Sequence, residues 1–425
     1  MQGWASVLRS DTGLAALSRD GRLLLATCAV RNFAYGFLSV VLGLYLAGMG
    51  LDAAAIGAVF TAALAGGAGM TIALTTLADR LGRRRILVLA AALMALSGAV
   101  FAVTHEVAWL IAAAIVGTIS PSGKEVGPFL SIEQAVLPQT TDARRRTAVF
   151  SVYNLVGSFA TAVGALAVGL PSLLGLSEVD GYRLLLWGYT VAALALVVLF
   201  ALLSPDVEIP RRGAPGGGRR AGLRRSRGVV IKLAALFGLD AFAGGFIVQG
   251  LVAYWLHVQF GADASTLAAV FFGTNLFAAV SFLAAPALAR RIGLLNTMVF
   301  THLPSNVLLL AVPGMPTLEL AVALLLVRHL LSQLDVPTRQ SYTMAIIDPE
   351  ERASAAGILS VARNAAAAAA PAFAGATLAV PALGLPFLLA GGLKIVYDLS
   401  IFATFRRVRP PEELDELEQS ALTGK

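Results

Sequence analysis

Charge is scarce in this sequence. Asp, Glu, Lys and Arg make up 13% of the 425 residues, against about 25% in an average soluble protein. Lysine occurs four times, and cysteine once, as Cys28 inside an apolar run. One cysteine excludes an internal disulfide, and its surroundings fit a small buried hydrophobe. The four histidines, at 105, 257, 302 and 329, are scattered, with no paired cluster on one helix. No HExxH, GxSxG or P-loop pattern is present, so the chain reads as neither a zinc nor a serine hydrolase, and ATP does not drive it from within. No enzyme activity, catalytic residue, cofactor or bound metal is expected.

What fills the chain instead is apolar residue, 57% of the total, with a mean hydropathy of +0.79. The excess runs along the whole length, as expected where lipid is the main solvent. The spacing predicts twelve membrane spans near 22–48, 53–78, 85–104, 107–137, 146–171, 182–204, 229–258, 264–288, 294–313, 317–346, 353–380 and 384–405. The first is too long for a signal-peptide core and has no small-residue cleavage pattern after it, so it reads as a retained span.

Arginine sets the orientation. It clusters after the even spans, as Arg80, Arg83, Arg84 and Arg85; Arg144, Arg145 and Arg146; seven residues within 205–228; Arg290 and Arg291; and Arg352. After the odd spans there is little beyond Arg183. Basic loops stay in the cytoplasm, so the even loops and both termini are predicted there. The net charge of +7 is therefore a topology signal, and no nucleic-acid motif accompanies it. The Ala-, Arg- and Gly-rich composition suggests a bacterial source and its inner membrane.

The domain plan follows. Residues 1–204 form one six-span half and 229–405 the other. Between them, 205–228 is a basic cytoplasmic linker, and 406–425 is an acidic tail. The halves repeat each other: Arg31–Phe37 matches Asp240–Phe246 with four of seven residues identical, Ile56–Phe60 matches Leu267–Phe271, and Leu77–Gly82 matches Leu288–Gly293. A nearly constant offset across three segments points to duplicated half-bundles able to rock about a shared site.

The loop Asp79-Arg80-Leu81-Gly82-Arg83-Arg84 resembles the G-x-x-x-D-R-x-G-R-R signature of the major facilitator superfamily, with Thr75 in place of the leading glycine. The resemblance covers essentially the whole chain. It implies an all-α fold of two pseudo-symmetric six-helix bundles, with spans 1, 4, 7 and 10 lining a central cavity. It also implies a gating role for Asp79, Arg80, Gly82, Arg83 and Arg84, in which Asp79 latches to the start of span 11. Drug exporters of the superfamily often carry a G-P-x-x-G-G-like motif in span 5, which this chain lacks.

Ionisable residues at bilayer depth cost at least about 2.5–3.5 kcal/mol each and are the best functional pointers. Arg31 lies roughly 14 Å into span 1 and Asp240 roughly 16 Å into span 7, at equivalent positions of the repeat, and a pair between them is expected. Span 4 carries Lys124 and Glu125 among Pro121, Gly123, Gly127 and Pro128, then Glu133; such broken backbone lines cavities. Span 10 carries Arg328, His329, Asp335 and Arg339. Arg363 of span 11 is a further candidate. Lys394 and Asp398, four apart on span 12, read as a structural pair, and Met298 and His302 of span 9 as core packing. Together these residues predict a secondary transporter of a small polar or charged organic solute, coupled to protons and working as a monomer among membrane lipids. A drug–proton antiporter is the main alternative and a metal-ion transporter a weaker one.

Overall fold

The computed structural model describes residues 17–123, 128–137, 146–208, 225–348, 351–377 and 384–408. Every regular element among them is helical. In chain order these are α1 (Arg19–Gly48), α2 (Ala53–Leu81), α3 (Arg83–Val103), α4 (Val107–Val116), α5 (Phe129–Val136), α6 (Arg146–Leu166), α7 (Leu170–Leu173), α8 (Glu178–Ala201), α9 (Arg227–Gly245), α10 (Gln249–Phe260), α11 (Ala264–Ile292), α12 (Leu294–Ala311), α13 (Leu318–Ser332), α14 (Asp335–Ile346), α15 (Arg352–Thr377) and α16 (Leu385–Phe405).

Helix starts are written locally. Ser18, Asp52, Ser177 and Thr317 each accept a hydrogen bond from a first-turn N–H, as at Ala55 N to Asp52 Oδ1, 2.7 Å. Among the described residues, ten apolar stretches are long enough to cross a membrane, counting α6 with α7, α9 with α10 and α13 with α14 as one each. The other two predicted spans are 107–137, which is interrupted, and the alanine-rich α15. Large apolar side chains stand outward, among them Leu96, Val191, Phe300 and Phe373, each more than half exposed. In water such a surface would be a liability; in lipid it is the solvated face.

By its contacts the chain divides into two units, Met1–Arg211 with Val248–Asn275, and Arg212–Ile247 with Leu276–Lys425. This is not a simple cut at the linker, because α10 and the first part of α11 pack with the first unit. In that unit two helix breaks meet. α4 stops at Val116, Thr118 takes a positive φ of 52°, and Gly123 another of 67°. A β-branched residue at positive φ is strained and needs its surroundings to hold it. The break between α9 and α10 lies alongside: Gly250 N donates to Pro121 O at 3.0 Å, and Gln249 Nε2 to Ser39 Oγ at 3.0 Å. Bonds freed by one interruption are thus answered by another. The interruption of span 4 was expected from its prolines and glycines; the one in span 7 was not.

Close packing sets the spacing of α1 and α6. A Cβ on Gly164 would run into the Phe33 backbone, and one on Gly36 into Thr161 O and the Gly164 Cα. Small residues let membrane helices approach to backbone contact. In the second unit the core gathers Leu233, Phe237, Met298, Tyr342, Tyr397 and Ile401. Gly164→Val should force α1 and α6 apart and destabilise the protein by about 1–3 kcal/mol. Thermal unfolding in detergent would register this as a lowered midpoint, and an unchanged one would show that the contact is not tight.

Candidate functional site

Each unit holds a buried charge network at the depth of its helices. In the first, Arg31 of α1 grips Glu133 of α5 with both terminal nitrogens, Nη1 to Oε1 at 2.8 Å and Nη2 to Oε2 at 2.7 Å. Tyr153 of α6 donates to Glu133 Oε2 and accepts from Arg31 Nη2 at 3.1 Å, while Thr27 donates to Glu133 Oε1 at 2.9 Å. The guanidinium lies 4.8 Å from the Phe129 ring centroid, and Phe129 stacks on Phe200. Arg31 and Glu133 are both 0% exposed. A forked, fully hydrogen-bonded pair of this kind is neutral overall and dry.

The second network centres on Asp240 of α9. Lys394 of α16 places Nζ 2.5 Å from Oδ1, and Arg339 of α14 places Nη1 2.9 Å from Oδ2. Arg363 of α15 stands 3.7 Å from Oδ2, and His302 Nε2 of α12 is 4.0 Å from Oδ1. Arg339 is shared with Asp335 at 3.1 Å. His302 Nδ1 lies 2.7 Å from Asp398 Oδ1, and Asn306 donates to Asp398 Oδ2 at 2.8 Å.

This second network carries more cations than acids. Among the described residues, Arg328, Arg339, Arg363 and Lys394 are accompanied by Asp240, Asp335 and Asp398. Arg328 is the least engaged of them. It is buried, at 8% exposed, and interacts with Asp240 and Asp335 at longer range. Among the described residues it has no ion pair, and its Nε has no hydrogen-bond partner. A buried guanidinium in that condition is costly unless something of opposite charge completes it.

The loops between helices are also organised. Gly82 (φ 101°) and Gly293 (φ 86°) occupy the same left-handed position before α3 and α12, which only glycine adopts freely. The degenerate second copy of the loop therefore keeps its backbone while losing the acid. Glu208 accepts from Arg83 N at 2.6 Å and Arg84 N at 3.2 Å, capping α3. Glu351 accepts from Arg225 N at 3.0 Å and Ser226 N at 2.8 Å, the two residues just ahead of α9. A carboxylate at a helix N-terminus meets both free N–H groups and the positive end of the dipole.

The family model of the Major Facilitator Superfamily matches residues 23–334. The chain belongs to the major facilitator superfamily. It is 28% identical to an uncharacterized membrane protein of Saccharomyces cerevisiae, YJR124C, over 91% of this chain and 94% of that one. Its fold is similar to that of the nucleoside transporter NupG, with a TM-score of 0.72 at 17% identity, covering 91% of this chain and 99% of that structure. It is also similar to a D-xylose–proton symporter, with a TM-score of 0.69 at 17% identity over 89% and 96%. The protein is a multi-pass membrane transporter of this superfamily with its all-helical fold.

Within this major facilitator chain, the structure sorts the residues singled out by sequence. Arg31 and Glu133 come together in the first unit. Asp240, Arg328, Asp335, Arg339 and Arg363 come together in the second unit. The pair expected between Arg31 and Asp240 is corrected, since each is matched inside its own unit by Glu133 and by Lys394 with Arg339. The pair expected between Lys394 and Asp398 is corrected too: Lys394 turns to Asp240, and Asp398 to His302. His329 is half-buried, with Nδ1 2.7 Å from its own helix at Leu325 O. Arg80 is exposed, and Arg83 and Arg84 act through backbone N–H groups. Lys124, Glu125 and the side chain of Asp79 lie outside the described residues.

Sequence reasoning missed Tyr153, Thr27, His302, Asn306 and Glu208. A usable signal existed for some of them. His302 with Asn306, and Lys394 with Asp398, are polar pairs four apart in apolar helices, and lipid would not tolerate them on its own face.

Removing one partner of a buried pair strands the other charge, at a cost of about 3–5 kcal/mol. Glu133→Gln should therefore unfold at a clearly lower temperature in detergent. Arg31→Met combined with Glu133→Leu should recover most of that loss, because nothing charged remains to be stranded. A double variant as weak as the single one would mean the pair is not what holds α1, α5 and α6 together.

Proposed function

We propose that the protein is a secondary active transporter of a small organic anion, working by alternating access and driven by the proton gradient. The observation that carries this reading is the cation surplus around Asp240, with Arg328 buried and lacking an ion-pair partner among the described residues. An anionic group would complete it, and a planar carboxylate or phosphate suits a guanidinium. Proton coupling draws support from titratable groups embedded in the same network, and from the fold's likeness to a D-xylose–proton symporter. A cationic or purely apolar drug has no use for such a cluster, so export of drugs is the weaker reading. For metal ions, no group of three or more His, Cys, Asp and Glu is arranged to hold one among the described residues. Arg31 binds no substrate in this reading, since Glu133 neutralises it. The protein would act as a monomer in a plasma membrane, the inner membrane in a bacterium, with two six-span halves joined by the linker at 205–228.

A thermal-unfolding screen of the purified protein against monocarboxylates, dicarboxylates, phosphate esters, nucleosides, hexoses and cationic drugs tests the substrate class. A ligand that binds only the folded state must raise the midpoint. One anionic class should stabilise the wild type and lose its effect in Arg328→Gln, and proteoliposomes should accumulate that anion when the outside is made acidic. Stabilisation by the neutral or cationic compounds alone would sink the anion reading.

The orientation has its own check. Green fluorescent protein joined to the C-terminal end should fluoresce in bacterial cells, and alkaline phosphatase at the same place should stay inactive; the reverse pattern would invert the topology.

A further inference from the structure

We propose that His302 is the proton-binding residue of the transport cycle, and that its Nε2 competes with the Lys394 ammonium for one oxygen of Asp240. This rests on the anion-transport reading and adds to it the residue that binds the proton and the way proton and anion are linked.

The geometry fixes the ring. Nδ1 lies 2.7 Å from Asp398 Oδ1, and against an ionised Asp398, which can only accept, the neutral imidazole carries its proton on Nδ1 and donates it there. Asn306 holds the other oxygen of Asp398 at 2.8 Å and keeps the carboxylate in place, although its amide nitrogen is also 3.1 Å from Nδ1. The Tyr397 ring stands edge-on to the imidazole, centroid to centroid 5.9 Å, and limits its rotation. Nε2 is left with its lone pair, 4.0 Å from Asp240 Oδ1, the oxygen that Lys394 already occupies at 2.5 Å.

The charged groups around it come from every neighbouring helix. Among the described residues they are Asp240 on α9, Arg328 on α13, Asp335 and Arg339 on α14, Arg363 on α15, and Lys394 and Asp398 on α16, while His329 of α13 turns to its own helix at Leu325 O. With His302 neutral, the four arginine and lysine cations among the described residues exceed the three carboxylates by one. A proton taken from water onto Nε2 forms one N–H bond, breaks none, and adds one unit of positive charge. The new N–H points at the oxygen that Lys394 holds, so imidazolium and ammonium repel and share it. The whole network then attracts an anion more strongly. Linkage makes the effect reciprocal: an anion bound at Arg328 must raise the proton affinity of His302 by the same factor. Proton and anion therefore load and leave together, which is symport.

The test uses full-length protein with His105, His257 and His329 replaced by glutamine, so that His302 is the one histidine left. It is labelled with nitrogen-15 in the ring and titrated by NMR in detergent. The probes are benzoate and succinate, each at millimolar concentration, together with any anion found by the thermal screen. The ring should pass from neutral to charged between alkaline and mildly acidic pH. An anion that stabilises the protein should move that midpoint upward by about one pH unit, a tenfold linkage. Asp398→Asn should move it downward, since a carboxylate that favours the charged ring is gone. A ring whose charge never changes across this range overturns the proposal, whatever the protein carries. A ring that titrates with a midpoint indifferent to a stabilising anion overturns the linkage. Failure of the anion reading shows separately, as stabilisation by neutral or cationic compounds alone with no midpoint shift from any anion, and it removes the symport proposal with it.

Discussion

A carboxylate buried among membrane helices has to be met by positive charge, and Asp240 is met by more than it needs. Lys394 and Arg339 reach it directly, while Arg363 and His302 stand within 4.0 Å. Those partners come from four different helices, so a single side chain ties α9 to α12, α14, α15 and α16. The apolar core around Phe237 and Tyr397 lies on the same helices and gives the network its dry surroundings. Low dielectric strengthens each of these attractions and also makes any unmatched charge expensive. The surplus cation among the described residues is therefore a charge the network itself leaves unmatched.

The two units solve the same problem with opposite polarity. In the first, span 1 offers the cation and span 4 the acid, with span 5 adding Tyr153. In the second, span 7 offers the acid and span 10 the cation, with span 11 adding Arg363. The duplication seen in the sequence thus survives as a pattern of which spans touch, while the charges have exchanged places. The first network closes on itself with every strong acceptor filled. The second has recruited spans 9 and 12, through His302, Asn306, Lys394 and Asp398, and among the described residues holds one more cation than acids.

Much of this was legible in the residues. Apolar run length gave the helices, arginine clusters gave the loops, and buried charge named Arg31, Glu133, Asp240, Arg328, Asp335, Arg339 and Arg363. What could not be read was partnership. Arg31 and Asp240 occupy equivalent places in the repeat, and equivalence suggested a pair; but equivalence fixes position within a half and says nothing about which neighbour lies within 3 Å. Lys394 and Asp398 looked self-sufficient because they are one turn apart, whereas side chains one turn apart can equally reach two different helices. His302 was set aside because span 9 is peripheral in the resembling family. The Asn306 and Thr301 beside it, both buried, were the sign that this helix face meets polar neighbours.

The chemistry of the individual cations decides which contacts can change. Arginine holds a carboxylate with a planar fork, and Arg31 on Glu133 uses both prongs, so separating them breaks two charged hydrogen bonds at once. Lysine is a point charge on a flexible stem; it contacts one carboxylate oxygen of Asp240 and, at 3.5 Å, its backbone carbonyl. Loss of the carboxylate contact leaves Asp240 still held by Arg339 on its other carboxylate oxygen. The acid therefore never stands uncompensated while Lys394 is displaced, and displacement is cheap compared with opening the Arg31 fork. The oxygen beside His302 is also the one that lysine holds. Among the contacts described in both networks, this one can change partners without opening an arginine fork.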